Sequence, residues 1–367
     1  MPRVLTLALF LGTFAAFLYL ANLVVFFALA AMLGITSARE LTALGYSLTI
    51  LSGSFIAASI WGSYQYNWFT RHFYRSSAVW IGLFTYLFFA SVAYGLVVGV
   101  TGSTDSWLGI FLIAVALAVS IYGFLHMRKI FVKEVHVTLP NLPQAWKGRR
   151  AVWVSDIHLG QLYDPAYGER VVKIVNSIPH DIVFIGGDLY DGTGAPDIEE
   201  LAGPFGKCTA PLGTYFITGN HEEFGDNSRF LKAVRGVGIR ALIDEKIEID
   251  GLQIVGVDWA HARRRDAFGD ILSRLSLERA KPTILLKHEP RDLDVAEAAG
   301  VSLTISGHTH DGQMWPFMYI SRLVHKGFSY GLKSLKNMQV YVSSGTGTWG
   351  PPMRVGTDSE IVVITFD

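Results

Sequence analysis

The chain runs to 367 residues with 31 basic and 31 acidic side chains, a formal net charge of zero. A balanced charge without a basic arm argues against an electrostatic nucleic-acid binder, so no nucleic-acid partner is expected. Cys208 is the single cysteine, which excludes an intrachain disulfide.

The balance hides an asymmetry. Up to residue 125 the only charged side chains are Arg3, Arg39, Glu40, Arg71, Arg75 and Asp105. The chain therefore reads as a transmembrane helical region, residues 1–130, followed by a charge-rich domain, residues 131–367. Four stretches in the first part approach or exceed the ~20 apolar residues that a helix needs to cross a bilayer: residues 4–35, 44–61, 78–100 and 107–125. Ala28, Leu29 and Ala30 resemble a signal-peptide cleavage site. The apolar run ahead of them exceeds the ~7–15 residues of a signal core, however, and this favours a retained first helix. Few polar side chains interrupt the helices, which disfavours a transport path. Arg3, then Arg71 and Arg75 in the second connection, then Arg128, Lys129 and Lys133 after the fourth helix place both termini inside by the positive-inside rule. The expectation is a multi-pass protein of a bacterial inner membrane, with the lipid bilayer as partner and the C-terminal domain cytoplasmic. Trp61, Tyr64, Tyr66 and Trp68 suit an interfacial aromatic belt.

From about residue 135 short β-rich runs alternate with amphipathic stretches. Strands are expected over 134–139, 151–155, 182–186, 214–218, 252–257, 283–287, 302–306, 339–343 and 360–365, and helices over 168–177, 229–235, 267–275 and 291–299. Such alternation predicts an α/β fold with buried sheets. A Pro-containing segment, 139–146, leads from the first strand into the core.

Five apolar strands end the same way, in a small or polar residue and then a potential ligand. The residues concerned are Asp156 and His158, Asp188, Asn220 with His221 and Glu222, His288, and His308 with His310. Ligands of open α/β sheets gather at the carboxyl ends of strands, so these five loops are expected to converge. Singly each is weak, because an Asp-x-His or a Gly-Asp after a strand is usually a turn or a cap. Together, two carboxylates, Asn220 and four histidines without a thiolate suit two adjacent divalent cations, Mn, Fe, Zn or Co.

These motifs resemble the calcineurin-like metallophosphoesterases. They are Asp-x-His at 156–158, Gly-Asp-x-x-Asp at 187–191, Gly-Asn-His-Glu at 219–222, His288, and Gly-His-x-His at 307–310, all in the family's order. The resemblance covers the whole charge-rich domain. It implies a four-layer αββα sandwich behind the all-α bundle of four helices. It also implies that Asp156, His158 and His310 hold one metal, that Asn220, His288 and His308 hold the other, and that Asp188 bridges them. His221 is implied to contact the substrate phosphate and assist the leaving group. Asp191 is expected to orient a loop, Glu222 to orient His221, and Cys208 to be a core residue. The implied chemistry is that of a metal-dependent hydrolase of phosphoric ester or acid-anhydride bonds, with in-line attack by metal-bound hydroxide.

The motif at 307–313 and the run Ser343, Ser344, Gly345, Thr346 and Gly347 resemble a bacterial branch that includes membrane-associated phosphodiesterases. Some members of that wider group cleave the pyrophosphate of UDP-diacylglucosamine. Asp311 stands where glycine is frequent, a departure that leaves the ligand set intact. The expected substrate is a phosphodiester or pyrophosphate of a lipid-linked nucleotide. Alternatives are the same chemistry on a soluble nucleotide or phosphomonoester, and a non-catalytic membrane sensor. Met314, Trp315, Phe317, Met318 and Tyr319 directly follow a ligand motif and have two readings, a lipid-facing surface or a hairpin packed over the core. Arg263, Arg264 and Arg265 form either a phosphate contact or a solvated loop.

Overall fold

The computed structural model describes residues 3–192, 197–223 and 227–367, except for the side chains of residues 3–11 and 14. The side chain of Arg3 therefore lies outside the described residues. The chain forms two compact units. Gly350–Met353 belongs with the helical unit that extends to Leu125, whereas Ser63–Tyr66 belongs with the α/β unit.

In the helical unit, α1 (Arg3–Met32), α2 (Ala38–Tyr64), α3 (Trp68–Thr101) and α4 (Ser106–His126) match the four expected spans. Each is long and apolar enough to cross a membrane. Side chains such as Phe27, Ile50, Leu96 and Phe111 point outward. The boundaries differ by a few residues, with α2 starting at Ala38, and the largest difference is at the start of α3. Only residues 65–67 separate α2 from α3, so Arg71 and Arg75 sit in the first turns of α3 and not in a loop. The cause is a capping box: Asn67 accepts from the Thr70 amide and donates its own amide to the Thr70 hydroxyl, which starts α3 ten residues early. Ser52 donates to Asn22 Oδ1 (3.1 Å) and accepts from Trp80 Nε1 (3.3 Å), which ties three helices together.

The α/β unit holds two six-stranded sheets. The first runs β1 (Ile130–Val137), β12 (Ser359–Phe366), β2 (Arg150–Val154), β3 (Ile182–Ile185), β4 (Thr214–Phe216) and β5 (Arg240–Ala241). The second runs β10 (Gly331–Leu335), β11 (Met338–Val342), β9 (Leu303–Ser306), β8 (Thr283–Leu286), β7 (Leu252–Gly256) and β6 (Glu245–Ile249). The nine expected strands are present. The three that were not expected, β5, β6 and β10, are sheet edges whose solvent-facing residues break the apolar run, as Glu-Lys-Ile-Glu-Ile does in β6.

Side-chain alternation builds the layers. Trp153, Phe184 and Ile217 meet Ile254, Ile284, Leu286 and Ile305 between the sheets. Val152, Val154, Val183 and Ile185 face the opposite way, against α5 (Pro165–Ser177), α6 (Ile198–Ala202) and α7 (Asn227–Gly236). Val255, Leu285, Val340 and Val342 face α9 (Arg265–Arg274) and α10 (Leu293–Ala299), with the short α8 (Trp259–Ala262) preceding α9. Strands buried on both faces have no polar side to show, which is why Val-Trp-Val and Ile-Val-Phe-Ile read as continuous apolar runs. The result is the αββα sandwich. Trp146, fully buried, closes the 139–146 segment with its Nε1 donating to Ile249 O at 2.8 Å. Cys208 is half-buried beside the α5–α7 layer, and burial pushes its thiol up to about 12.

The aromatic stretch after His310 is not a hairpin. It turns at Trp315 and enters α11 (Phe317–Val324), where Met318 is buried while Tyr319, Ile320, Leu323 and Val324 are exposed. The arginine triplet is divided. Arg263 stacks over Trp259, and Arg265 forks onto Asp294 at 2.8 and 2.6 Å.

Candidate metal centre

Parallel pairing of β2 with β3, β3 with β4 and β8 with β9 aligns the carboxyl ends of these strands. Main-chain hydrogen bonds then stitch the loops together. The Asp156 amide donates to Gly187 O (3.0 Å), that of His158 to Asp188 O (3.1 Å), and that of Gly307 to His288 O (2.9 Å). Asp156, His158, Asp188, His308 and His310 all adopt positive φ, between 48° and 70°. Left-handed backbone at so many non-glycine residues costs energy, and it persists because the surrounding packing dictates it. The glycines before the ligands turn out to differ in purpose. Gly187 has φ 87°, a true turn. Gly219 and Gly307 instead provide room: a Cβ on Gly219 would lie 2.2 Å from Asp188 Oδ1, and one on Gly307 would lie 2.3 Å from Asp156 Oδ2.

Six of the seven predicted ligands, all but Asn220, come together with His221 in three groups that could each hold a cation: Asp156, His158 and His310; Asp188, His288 and His308; and His158, Asp188 and His221. His158 Nε2 is 3.1 Å from His310 Nε2, and His310 Nε2 is 3.6 Å from Asp156 Oδ1. His288 Nε2 is 3.2 Å from Asp188 Oδ2 and 3.9 Å from Asp156 Oδ1. Asn220 Oδ1 lies 2.7 Å from His308 Nδ1. Within each group such spacings suit donor atoms about 2.0–2.2 Å from a shared ion. The donor set fits a metal on a second count. His288 Nε2 is fully buried and makes no hydrogen bond within the protein, its contact with Asp188 Oδ2 being one of charge that leaves the nitrogen open to a cation.

Burial and mutual charge set ionisation in the metal-free cluster. Burial pushes the Asp156 carboxyl up to about 6 against the pull of His288. Burial also opposes a charge on Asp188, yet the imidazoles of His288, His221 and His158 hold it well below the usual carboxylate range. Burial disfavours a charge on His288 too, but Asp188 and Asp156 flank it and raise it to about 10. Burial and neighbouring cations hold His158 and His310 well below the ordinary range, and burial with His288 brings His308 down to about 4. His158, His308 and His310 thus bind fewer protons folded than unfolded. Their stabilisation is complete above about 6.5 and is lost as pH falls toward their folded values. Asp156, and Glu222, which burial and the nearby Asp188 raise to about 7, oppose them as two groups against three. The His288 contribution is already full below about 6.5 and fades only as pH rises through about 10. Chelator-treated protein is therefore expected to show a lower urea midpoint at pH 5 than at pH 7. An equal or higher midpoint at pH 5 would contradict these assignments.

The orienting residues differ in part from expectation. The Glu222 carboxylate accepts from the amides of Asp188, Leu189, Tyr190 and Gly219, so it fixes the Asp188 loop. The His221 ring is held by the main-chain carbonyl of Asp191 through Nδ1 (2.7 Å). The Asp191 carboxylate does orient a loop, accepting from the Gln161 amide at 2.8 Å. Arg354 was not anticipated. Fully buried, its guanidinium donates to the carbonyls of His310 (3.0 Å), Ser344 (2.6 Å) and Gly347 (2.6 Å). No strand-end pattern marks it, because it lies in a Pro- and Gly-rich loop far from the motifs. Beside the centre, Glu289, Arg291, Val324, His325, Lys326 and Phe328 line part of a cleft of about 630 Å³.

Comparison with known proteins follows the same residues. The family model for calcineurin-like phosphoesterases matches residues 149–312. A Campylobacter jejuni metallophosphoesterase is 33% identical over 239 residues, 64% of this chain and 63% of its own length. A Danio rerio protein named as a transmembrane protein with a metallophosphoesterase domain is 33% identical over 249 residues, 64% of this chain and 57% of its own. An Aquifex aeolicus metallophosphoesterase is 32% identical over 258 residues, 68% of this chain and 97% of its own. The chain thus spans under two thirds of the first two relatives and nearly all of the third.

Proposed function

Since the chain belongs to the calcineurin-like metallophosphoesterase family, we propose that it is a membrane-anchored hydrolase of phosphodiester or pyrophosphate bonds. The observation that carries this reading is the gathering of six of the proposed ligands, with His221, into three overlapping groups in which His158 and Asp188 are each shared by two.

In the proposed scheme Asp156, His158 and His310 would hold one divalent cation, Asn220, His288 and His308 would hold a second, and Asp188 would be shared between the two. Two such cations, when bound, acidify a water and clamp the attacking and leaving oxygens of an in-line displacement. The protein's own part is positional. Strand ends fix the ligands, Glu222 holds the Asp188 loop, and the Asp191 carbonyl turns Nε2 of His221 toward the centre. From there His221 contacts the phosphoryl oxygens and passes a proton to the departing one. The cleft beside His288 has the mixed charged and apolar lining that a bulky leaving group requires.

A lipid-linked nucleotide, of the kind represented by UDP-diacylglucosamine, is the proposed substrate class. The four bilayer-length helices and the outward apolar side chains of α11 support it. The positive side chains Arg71, Arg75, Arg128, Lys129 and Lys133 favour an inner-membrane protein with its catalytic unit in the cytoplasm. The test is turnover by protein reloaded with Mn, Fe, Zn or Co, on UDP-diacylglucosamine in mixed micelles and on soluble nucleotides and phosphomonoesters. His221→Ala is expected to keep its metals and lose about 10²–10⁴-fold in kcat. Undiminished kcat in that variant would remove His221 from the mechanism. Equal turnover on soluble substrates would remove the lipid moiety from the proposal. Metal-replete wild type that is inert on the whole panel would favour a sensor.

A further inference from the structure

Exposed apolar side chains in the α/β unit are concentrated in one place. From residue 126 onward, Trp315, Tyr319, Ile320, Leu323 and Val324 fall within ten residues, and only Val132, Leu332 and Trp349 among the described residues share their class. Tyr319, Ile320, Leu323 and Val324 repeat at intervals of one, three and four, which makes one stripe along α11. Leu323 is 81% exposed and Val324 66%, whereas Met318 on the opposite side is 8% exposed. A surface helix ordinarily turns its apolar stripe inward; α11 presents one outward.

The helix is also fixed to the candidate metal centre. At its start, Gly312 packs so closely that a Cβ there would lie 2.4 Å from the Met318 amide nitrogen. Just beyond its end the His325 ring lies 6.1 Å from that of His308, and the Thr309 hydroxyl donates to Ser329 O at 2.6 Å. Both ends of α11 therefore bear on the loop of His308 and His310.

Three observations identify what covers the stripe. Only Met127, Arg128 and Lys129 separate α4 from β1, so the chain tethers this unit to the bilayer its helices would enter. Trp315 and Tyr319 are the amphipathic rings favoured at headgroup depth. Exposed Arg322, its guanidinium 5.9 Å from the Tyr319 ring, and exposed Lys326 border the stripe with the charge that lipid phosphates attract. Because α11 is already folded, docking costs little ordering entropy. We infer that α11 is an interfacial docking helix whose Tyr319, Ile320, Leu323 and Val324 face lies in the headgroup boundary of a phospholipid bilayer, holding the His308–His310 loop at the lipid surface.

The test reads position without turnover, so it stands apart from the hydrolase proposal. Full-length protein carrying Cys208→Ala and Leu323→Cys is labelled with an environment-sensitive fluorophore in phospholipid nanodiscs. Glu248→Cys, at an exposed position on β6, is the control. A nitroxide at a shallow acyl position is expected to lower emission from position 323 about twofold or more and to leave position 248 unchanged, while aqueous iodide does the reverse. Iodide access at 323 equal to that at 248 overturns the inference. So does shielding from iodide without lipid quenching, which is the signature of a face covered by protein, whether a second copy or another partner. Val324→Cys, one position on along the same stripe, is expected to repeat the result for position 323.

Discussion

Replacing Asp188 with asparagine is expected to abolish nearly all turnover, by roughly 10³-fold or more, and to leave the purified protein with less bound metal. The amide is close in size, so the loop is kept, but the charge is lost. Asp188 is the one carboxylate shared by two of the three candidate groups, and its Oδ2 is within 3.2 Å of His288 Nε2. A carboxylate held well below its ordinary range by three imidazoles is also what compensates the raised His288. Without it, His288 loses the partner that keeps it charged in the metal-free state, and the two proposed cations would lose the anion that screens one from the other. Metal content by elemental analysis and kcat on a soluble phosphodiester check this together. Full metal occupancy with wild-type kcat would remove Asp188 from the centre.

The largest effect on stability is expected at Arg354. Arg354→Met should lower the unfolding free energy by about 3–5 kcal/mol, because several buried carbonyls lose a charged donor at once. Those carbonyls belong to His310 on one loop and to Ser344 and Gly347 on another. Methionine fills similar volume without offering a donor, so the loss is one of hydrogen bonding and not of packing. Arg354→Lys should recover only part of it, since one ammonium cannot span carbonyls that a planar fork reaches together. Urea midpoints for the three proteins test the order wild type, Lys, Met. Equal midpoints would mean that these loops hold themselves.

The candidate ligands are legible because each follows an apolar strand, and strands buried on both faces announce themselves as largely apolar runs. Val-Trp-Val before Asp156 and Ile-Leu-Leu before His288 are such runs, and the residues at their ends lie in the candidate metal groups. Edge strands gave no such signal, so β5, β6 and β10 were invisible. Glu222 was read as a partner of His221 because the two are adjacent in sequence; its actual acceptor role toward four amides depends on how two loops stack, which spacing does not encode. Arg354 is hidden for the same reason. The stretch after His310 has two readings, a lipid-facing surface or a packed hairpin, because an aromatic run suits burial and a membrane surface alike. What makes α11 a helix is its packing on Gly312 and the burial of Met318.

The position of β12 has a consequence for biosynthesis. This strand, residues 359–366, lies between β1 and β2, pairing in parallel with one and antiparallel with the other. β1 and β2 leave the ribosome long before it. About 200 further residues must be made first, which at ~5–20 residues per second takes roughly 10–40 s. For that interval the flanking strands have an open slot between them, and neither can present its final edge. The metal-ligand loops on β2 and β3 are thus translated early but framed last. A nascent chain arrested before residue 359 should expose β1 and β2 to proteolysis, however complete its ligand sequence.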